Sequence, residues 1–119
     1  MQRKDSLEEF RKEWEAFLRD RQHKISAPQK ACCAMKSRDA GGKQYRWLLL
    51  VAQGKSKTLS RAERDEIRYH LARRCSRKEK IYAAIRFPKP ENKVLVLPAE
   101  RVLKRKRILA HKGGIPWGD

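Results

Sequence analysis

The sequence predicts an α/β domain in which helices flank a mixed central sheet. Segments with apolar residues at helical spacing alternate with short, continuous apolar runs typical of strands. Their order is helix, strand, strand, helix, strand, strand, helix, which favours a mixed sheet over an all-α or all-β fold. A length of 119 residues suits a single domain with one modest core.

The first helix is predicted from Ser6 to about Gln22. Ser6 and Glu9 have the spacing of a capping box, in which each side chain bonds the backbone of the other residue. Apolar residues recur behind them at helical spacing and predict one buried face: Leu7, Phe10, Trp14, Phe17 and Leu18.

A hairpin is predicted next. Residues 31–36 ("ACCAMK") are consistent with a short strand, and "SRDAGGK" after them has the Gly-Gly pair of a turn. Residues 45–52 form the clearest strand, because both of its faces are apolar. Such a strand is central and covered by helices on both sides.

The second half repeats the pattern of helix, then strands. Ser60 and Glu63 form another capping box, and the helix that they open is predicted to run to about Arg74. Residues 81–87 and 93–97 predict two strands, joined by a turn at "PKPEN".

A short helix is predicted from Pro98, with a basic cluster at residues 104–107. The domain is predicted to span residues 1–112, and residues 113–119 are predicted to be a short irregular tail. Two apolar residues of that tail are candidates to anchor it to the domain: Ile115 and Trp117.

The charge of the chain points to a polyanionic partner. Lys and Arg number 31 against 14 Asp and Glu, so the formal net charge is +17 and the pI is near 10.4. Nucleic acid is the first candidate, since binding phosphates releases counterions. A membrane surface is disfavoured because the sequence has neither a long apolar span nor a lipid-facing amphipathic helix.

The cysteines and histidines indicate a cytoplasmic protein without a zinc site. Cys32, Cys33 and Cys75 are odd in number and two are adjacent, which does not match a secreted disulfide framework. The three histidines lack the spacing of zinc ligands. The charged first residues do not resemble a signal peptide.

Three polar residues around the clearest strand suggest phosphodiester chemistry. Gln53 and Lys55 follow the strand and share one face if the strand continues, and Asp39 precedes Gln53 by 14 positions, across the hairpin. We expect Asp39 to lie beside this pair. Oxygen ligands there would hold Mg²⁺, and the lysine would stabilise developing negative charge.

One part of the sequence resembles the archaeal Holliday-junction resolvases of the PD-(D/E)xK nuclease superfamily. It consists of "RWLLLVAQGKSKTLSRAERDEIRYHLARRCSRKEKIYAAIRF" and the later "KVLVLPAERVL". The resemblance extends over roughly residues 6–103. It implies a restriction-endonuclease-like fold, a Mg²⁺-dependent endonuclease that acts on DNA junctions, and a homodimer.

The resemblance implies a role for each motif position. Lys55 matches the motif lysine, and Gln53 stands where the family has a metal-binding glutamate. Asp39 is the best match for the motif aspartate and is therefore the candidate metal ligand. Glu9 and Glu13 lie near the position of the family's glutamate on the first helix. A neutral amide at Gln53 removes one negative charge from the expected metal site.

Two classes of function remain open. One is a nucleic-acid-binding protein on a degenerate nuclease scaffold, favouring DNA, which reads the shape of double-stranded or structured nucleic acid through phosphates. The other is an active endonuclease with Asp39, Gln53 and Lys55 as catalytic residues. RNA in a ribonucleoprotein such as the ribosome is a further alternative, so nucleoid or ribosome association is expected. The candidate phosphate contacts are Arg38, Lys55, Lys57, Arg61, Lys104, Arg105, Lys106 and Arg107.

Structural interpretations of the same residues also remain open. Asp39 is more typical of a turn beside two glycines than of a metal ligand, and Gln53 is also typical of a strand end. Trp14 and Trp47 are predicted to be core residues. Trp117 suits packing against the domain better than stacking on a base.

Overall fold

The structure, a computed structural model, describes residues 3–26, 34–74, 78–110 and 113–117, with side chains of the first helix described from Ser6. Within these described residues, three helices and eight strands follow in this order: α1 (Arg3–Asp20), β1 (Lys24–Ile25), β2 (Ala34–Arg38), β3 (Gln44–Val51), β4 (Ser56–Lys57), α2 (Arg61–Ala72), β5 (Lys80–Phe87), β6 (Lys93–Pro98), α3 (Ala99–Leu103), β7 (Ile108–Leu109) and β8 (Ile115–Pro116).

A six-stranded mixed sheet forms the centre of the domain, with strand order β1-β2-β3-β5-β6-β8. Strands β3 and β5 are parallel, and the other neighbours are antiparallel. Strands β4 and β7 form a separate two-stranded sheet. The predicted class, a single α/β domain with a mixed sheet and flanking helices, is confirmed.

Helices cover both faces of β3, as its apolar sequence predicts. Trp47 and Leu49 pack with α1 residues such as Phe10 on one face. Leu48 and Leu50 lie on the other face, in the cluster that contains residues of α2 and α3. The alternation of side chains along a strand explains this division. Strand β3 is therefore buried on both faces, and this packing holds its end in place.

The predicted long elements are confirmed, but the start of α1 is not. The helix begins at Arg3, so Ser6 lies inside it and the predicted Ser6–Glu9 capping box does not form the helix start. The preceding Arg3 and Lys4 are residues of high helix propensity, and nothing in their chemistry stops the helix at Ser6. The predicted apolar face of α1 is confirmed, with Phe10 and Trp14 each 1 % exposed.

The predicted hairpin is also confirmed. Strand β2 contains residues 34–36 of the predicted strand and extends to Arg38. Asp39 accepts a backbone hydrogen bond from Gly42, and Gly42 has a φ of 88°, a conformation that favours glycine. Residues 31–33 lie outside the described residues, as do Cys32, Cys33, Cys75 and His111.

The C-terminal tail is more regular than predicted. Ile115 and Pro116 pair with Val94 and Lys93 at the edge of the main sheet. Trp117 packs against α1, with its ring centre 5.6 Å from that of Trp14. The prediction of an irregular tail is therefore wrong for residues 115–116, because backbone pairing with β6 orders them. The anchoring role predicted for Ile115 and Trp117 is confirmed.

An aromatic cluster joins α1 to the sheet. The ring centres of Trp14 and Trp47 are 5.2 Å apart at an angle of 70°, an edge-to-face arrangement that aromatic pairs favour. Both side chains are buried, which confirms that they belong to the core. None of the described helices is both long and apolar enough to cross a membrane.

The start of α2 is fixed by the predicted capping box. The Ser60 hydroxyl accepts a hydrogen bond from the Glu63 amide at 3.1 Å, and the Glu63 carboxylate accepts one from the Ser60 amide at 2.8 Å. The Glu63 carboxylate also pairs with Lys57 at 2.8 Å. This one box therefore orients both the helix and strand β4 before it.

We expect Ser60→Ala to lower the free energy of unfolding by about 1 kcal/mol, because the Glu63 amide loses its acceptor. Urea denaturation measures the change. Thr58→Ala is the matched control, since Thr58 is exposed and makes no side-chain hydrogen bond to any residue that the structure describes. Equal losses in the two variants would show that the cap contributes nothing.

Candidate functional site

The exit of β3 is a turn rather than a continuing strand. The last bond to the parallel neighbour runs from the Ala52 amide to the Arg86 carbonyl at 2.9 Å. Residues 53–55 then form a bend, in which Gln53 and Lys55 are exposed. Their positions are set by the bend and not by strand alternation, so the premise that they share a strand face does not hold.

Asp39 lies at the opposite end of β3 from this bend. Arg38 pairs with Gln44, the first residue of β3, so the turn that contains Asp39 adjoins the start of the strand. Strand β3 has eight residues, a length of roughly 25 Å at about 3.3 Å per residue. The prediction that Asp39 lies beside Gln53 and Lys55 is therefore wrong. The turn of a hairpin adjoins the beginning of the second strand, whereas Gln53 follows its end.

Local contacts hold the Asp39 carboxylate in the turn. One oxygen accepts a hydrogen bond from the Lys43 amide at 2.9 Å, and the other accepts one from the Tyr45 hydroxyl at 3.1 Å. The Lys43 amide first, with help from Tyr45, lowers the pKa of Asp39 below its ordinary value. These contacts match the interpretation of Asp39 as a turn residue.

The glutamates of α1, in contrast, lie at the exit end of β3. Glu9 and Glu13 line an open cleft of about 160 Å³ together with Val51 of β3 and Arg86 of β5. The Glu13 carboxylate accepts a hydrogen bond from the Trp117 indole at 2.7 Å. Neither Gln53 nor Lys55 is among the residues that line this cleft. The cleft is therefore a separate feature from the bend.

The predicted ligand set does not fit a Mg²⁺ ion. Asp39 and Gln53 are separated by the length of β3, so they cannot contact one ion at the distances of about 2.1 Å that Mg²⁺ requires. In the described part of the chain, no three His, Cys, Asp or Glu side chains are grouped closely enough to bind a metal. We derive no metal-dependent step from these residues.

The small sheet of β4 and β7 gathers most of the predicted phosphate contacts. Ser56 pairs with Leu109 and Lys57 with Ile108, and the Ala110 amide donates to the Lys55 carbonyl at 2.9 Å. This ladder places the bend after β3 beside the segment that follows α3. Residues about 50 positions apart in sequence thereby form one surface.

Arg64 connects this surface to α2. Its guanidinium donates hydrogen bonds to the carbonyls of Leu103 and Arg105, at 3.1 Å and 3.2 Å. These contacts fix the course of the chain immediately after α3, and Arg61 lies one helical turn before Arg64. We call the resulting surface the basic ridge; it consists of Lys55, Arg61, Lys104, Arg105, Lys106 and Arg107.

The cations of the basic ridge are available to a ligand. Five of the six residues are exposed and Arg105 is half-buried. Among the described residues, no carboxylate lies within ion-pairing distance of any ridge side chain. Unpaired cations at this density repel one another, and a polyanion would relieve that repulsion.

Two predicted phosphate contacts do not belong to the ridge. The Lys57 side chain is 13 % exposed and its ammonium pairs with Glu63 at 2.8 Å, so its charge is already compensated. Arg38 is exposed but lies at the hairpin end of the sheet, opposite Gln44. The predicted phosphate contacts therefore divide into three groups: the basic ridge, Lys57 with its ion pair to Glu63, and Arg38 at the hairpin end of the sheet.

Arg64 positions the basic ridge without belonging to it, and the sequence does not reveal this role. Its neighbours in the helix are charged, and nothing in their spacing distinguishes an arginine that bonds backbone carbonyls from one that faces solvent. Its acceptors lie 39 and 41 positions away, so only the packing of α2 against α3 identifies its role.

Comparisons of the chain with protein-family models, with curated proteins and with solved structures find no match.

Proposed function

We propose that the protein binds double-stranded or structured nucleic acid, DNA in preference to RNA, through phosphate contacts made by the basic ridge. The observation that carries this proposal is the β4–β7 ladder, in which the Ala110 amide bonds the Lys55 carbonyl, so that the bend with Lys55 joins the segment that follows residues 104–107. The ridge cations have no carboxylate partner among the described residues. Few base-reading groups accompany these cations. The protein therefore reads the shape and charge of the nucleic acid rather than its sequence.

The order of the core elements supports a nuclease-like scaffold of the resolvase type. A helix, an antiparallel set β1-β2-β3, a helix and a strand parallel to β3 follow one another. The scaffold places the end of β3 at one edge of the domain. In this chain that edge carries a neutral Gln53 and the exposed Lys55.

The separation of the acidic residues favours binding over cleavage. Metal-assisted phosphodiester hydrolysis needs oxygen ligands around one ion close to the scissile phosphate. Asp39 is held in the hairpin turn by Lys43 and Tyr45, remote from Gln53. The glutamates nearest to the exit of β3, Glu9 and Glu13, line a separate cleft that includes neither Gln53 nor Lys55.

The proposal is tested by fluorescence anisotropy with a labelled DNA duplex of about 20 base pairs over a range of salt concentrations. Each phosphate contact contributes about −0.9 to the slope of log K against log salt concentration. The six ridge cations predict a slope of about −5. Affinity that hardly changes with salt would contradict phosphate binding. The same titration with an RNA duplex measures the preference between the two nucleic acids.

A four-way DNA junction with Mg²⁺ or Mn²⁺ separates the proposal from its alternative. We expect a complex with the junction and intact DNA strands. Clean cleavage that is lost in Asp39→Ala or Glu9→Gln would overturn the binding-only proposal and establish an endonuclease. Measuring the mass of the free protein on the same sample tests the homodimer that the resemblance implies.

A further inference from the structure

Tyr69 is an aromatic side chain that the fold leaves open to solvent. It lies on the outer face of α2 and is 52 % exposed, one of two large hydrophobic residues exposed to this degree in the described part of the chain; the other is Leu109. The Tyr69 hydroxyl makes no hydrogen bond to any described residue. Burial in the core therefore does not account for the position of this ring.

Two contacts hold the Tyr69 ring in place. The guanidinium carbon of Arg73 lies 4.0 Å from the ring centre and covers one face. The His70 ring meets it edge-on, at 5.3 Å and 87°. His70 is itself buried and contacts Arg46 at 3.1 Å. A ring that is held in one orientation loses little conformational entropy when a second flat group stacks on it.

The position of Tyr69 on α2 relates it to the basic ridge. Arg61, a ridge residue, begins the same helix, and eight residues of helix correspond to about 12 Å. Arg68 and Arg73 lie beside Tyr69 and are exposed, Asp65 pairs with Arg68 at 3.5 Å, and Glu66 lies 3.4 Å from the His70 ring. Tyr69 and the ridge residue Arg61 therefore lie on the same helix, and the exposed Arg73 covers one face of the ring.

We propose that Tyr69, backed by Arg73, stacks on an unpaired nucleobase of a nucleic acid whose phosphates contact the basic ridge. The proposal rests on the proposed function and adds the class of ligand: duplexes that contain unpaired nucleotides are preferred over fully paired ones. Stacking on an aromatic ring is tolerant of base identity, because every base has a flat π-face. An arginine adds a cation–π contribution at the same site.

The test compares two DNA duplexes of equal length and charge by fluorescence anisotropy. One contains a bulge of adenine nucleotides, and the other has the same bulge with abasic sites, so only the bases differ. We expect the wild-type protein to bind the adenine bulge at least about five-fold more tightly. Tyr69→Ala should abolish this preference, and Tyr69→Phe should retain it because the ring remains.

Leu109→Ala is the matched control, because Leu109 is the other exposed large side chain and has no ring to stack. It should leave the ratio of the two affinities unchanged. Equal binding of both bulges by the wild-type protein, or a preference that persists in Tyr69→Ala, would overturn the stacking site while leaving phosphate binding intact. Binding of neither bulge would overturn the proposed function together with it. Thermal unfolding of each variant verifies that the fold is retained.

Discussion

Replacing Glu79 with alanine is expected to lower the free energy of unfolding by about 3–5 kcal/mol, the cost of leaving a buried charge without its partner. Arg46 and Glu79 form an ion pair in which both side chains are only 4 % exposed. The Arg46 Nε donates to one carboxylate oxygen at 3.1 Å and a terminal nitrogen donates to the other at 3.1 Å. Without Glu79, the guanidinium stays buried and uncompensated.

The remaining donors of Arg46 explain why the guanidinium cannot turn out to solvent at low cost. They reach the His70 ring at 3.1 Å, the His70 carbonyl at 3.4 Å and the Arg73 carbonyl at 3.5 Å. Burial first, and then the Arg46 charge, lowers the pKa of His70. The neutral His70 imidazole therefore accepts a hydrogen bond from Arg46. These bonds tie the end of α2 to the middle of the sheet.

Urea denaturation of Glu79→Ala measures this prediction, and Asp65→Ala is the control. Asp65 pairs with Arg68 on the surface, where both side chains are about 60 % exposed, so its loss should cost less than about 1 kcal/mol. A double variant, Arg46→Met with Glu79→Leu, should recover much of the stability, because it removes the buried charge as well as its partner. A loss below about 1 kcal/mol in Glu79→Ala would show that the pair is not buried in solution.

The long helices and strands could be predicted because each one has a recognisable sequence pattern. The eight residues of β3 form an apolar run that indicates burial on both faces, and Ser60 with Glu63 marks the start of α2. The four strands of two residues each have no such signal. Each is too short for an alternating pattern, and β4 and β7 form only because residues distant in sequence meet.

The positions of charged groups could be predicted less well, because they depend on pairing. The separation of 14 residues between Asp39 and Gln53 does not determine which end of β3 each residue lies at. The antiparallel register of β2 and β3 determines it. Arg46 similarly occupies a strand whose other residues predict a core, and its partner Glu79 is 33 positions away. The sequence indicates Lys55 and residues 104–107 individually, but their assembly into one surface requires the ladder and Arg64.

Replacing three cations of the basic ridge with alanine is expected to weaken duplex binding by on the order of 100-fold near 0.1 M salt. The substitutions are Lys104→Ala, Lys106→Ala and Arg107→Ala, all at exposed positions after α3. Removing three phosphate contacts should also reduce the slope of log K against log salt concentration by about 2.7. Arg105 is kept because its side chain is half-buried, and the fold of the segment should then not change.

A second triple variant separates a localised site from diffuse attraction to a highly charged protein. Lys24→Ala, Arg38→Ala and Lys43→Ala remove three exposed cations at the hairpin end of the sheet, where Lys24 pairs with Arg38. Both variants have a formal net charge of +14 instead of +17, so any difference between them reflects position alone. The hairpin variant should retain most of the affinity and of the salt slope. Equal losses in the two variants would mean that nucleic acid senses the total charge of the domain, and the ridge would then have no special role.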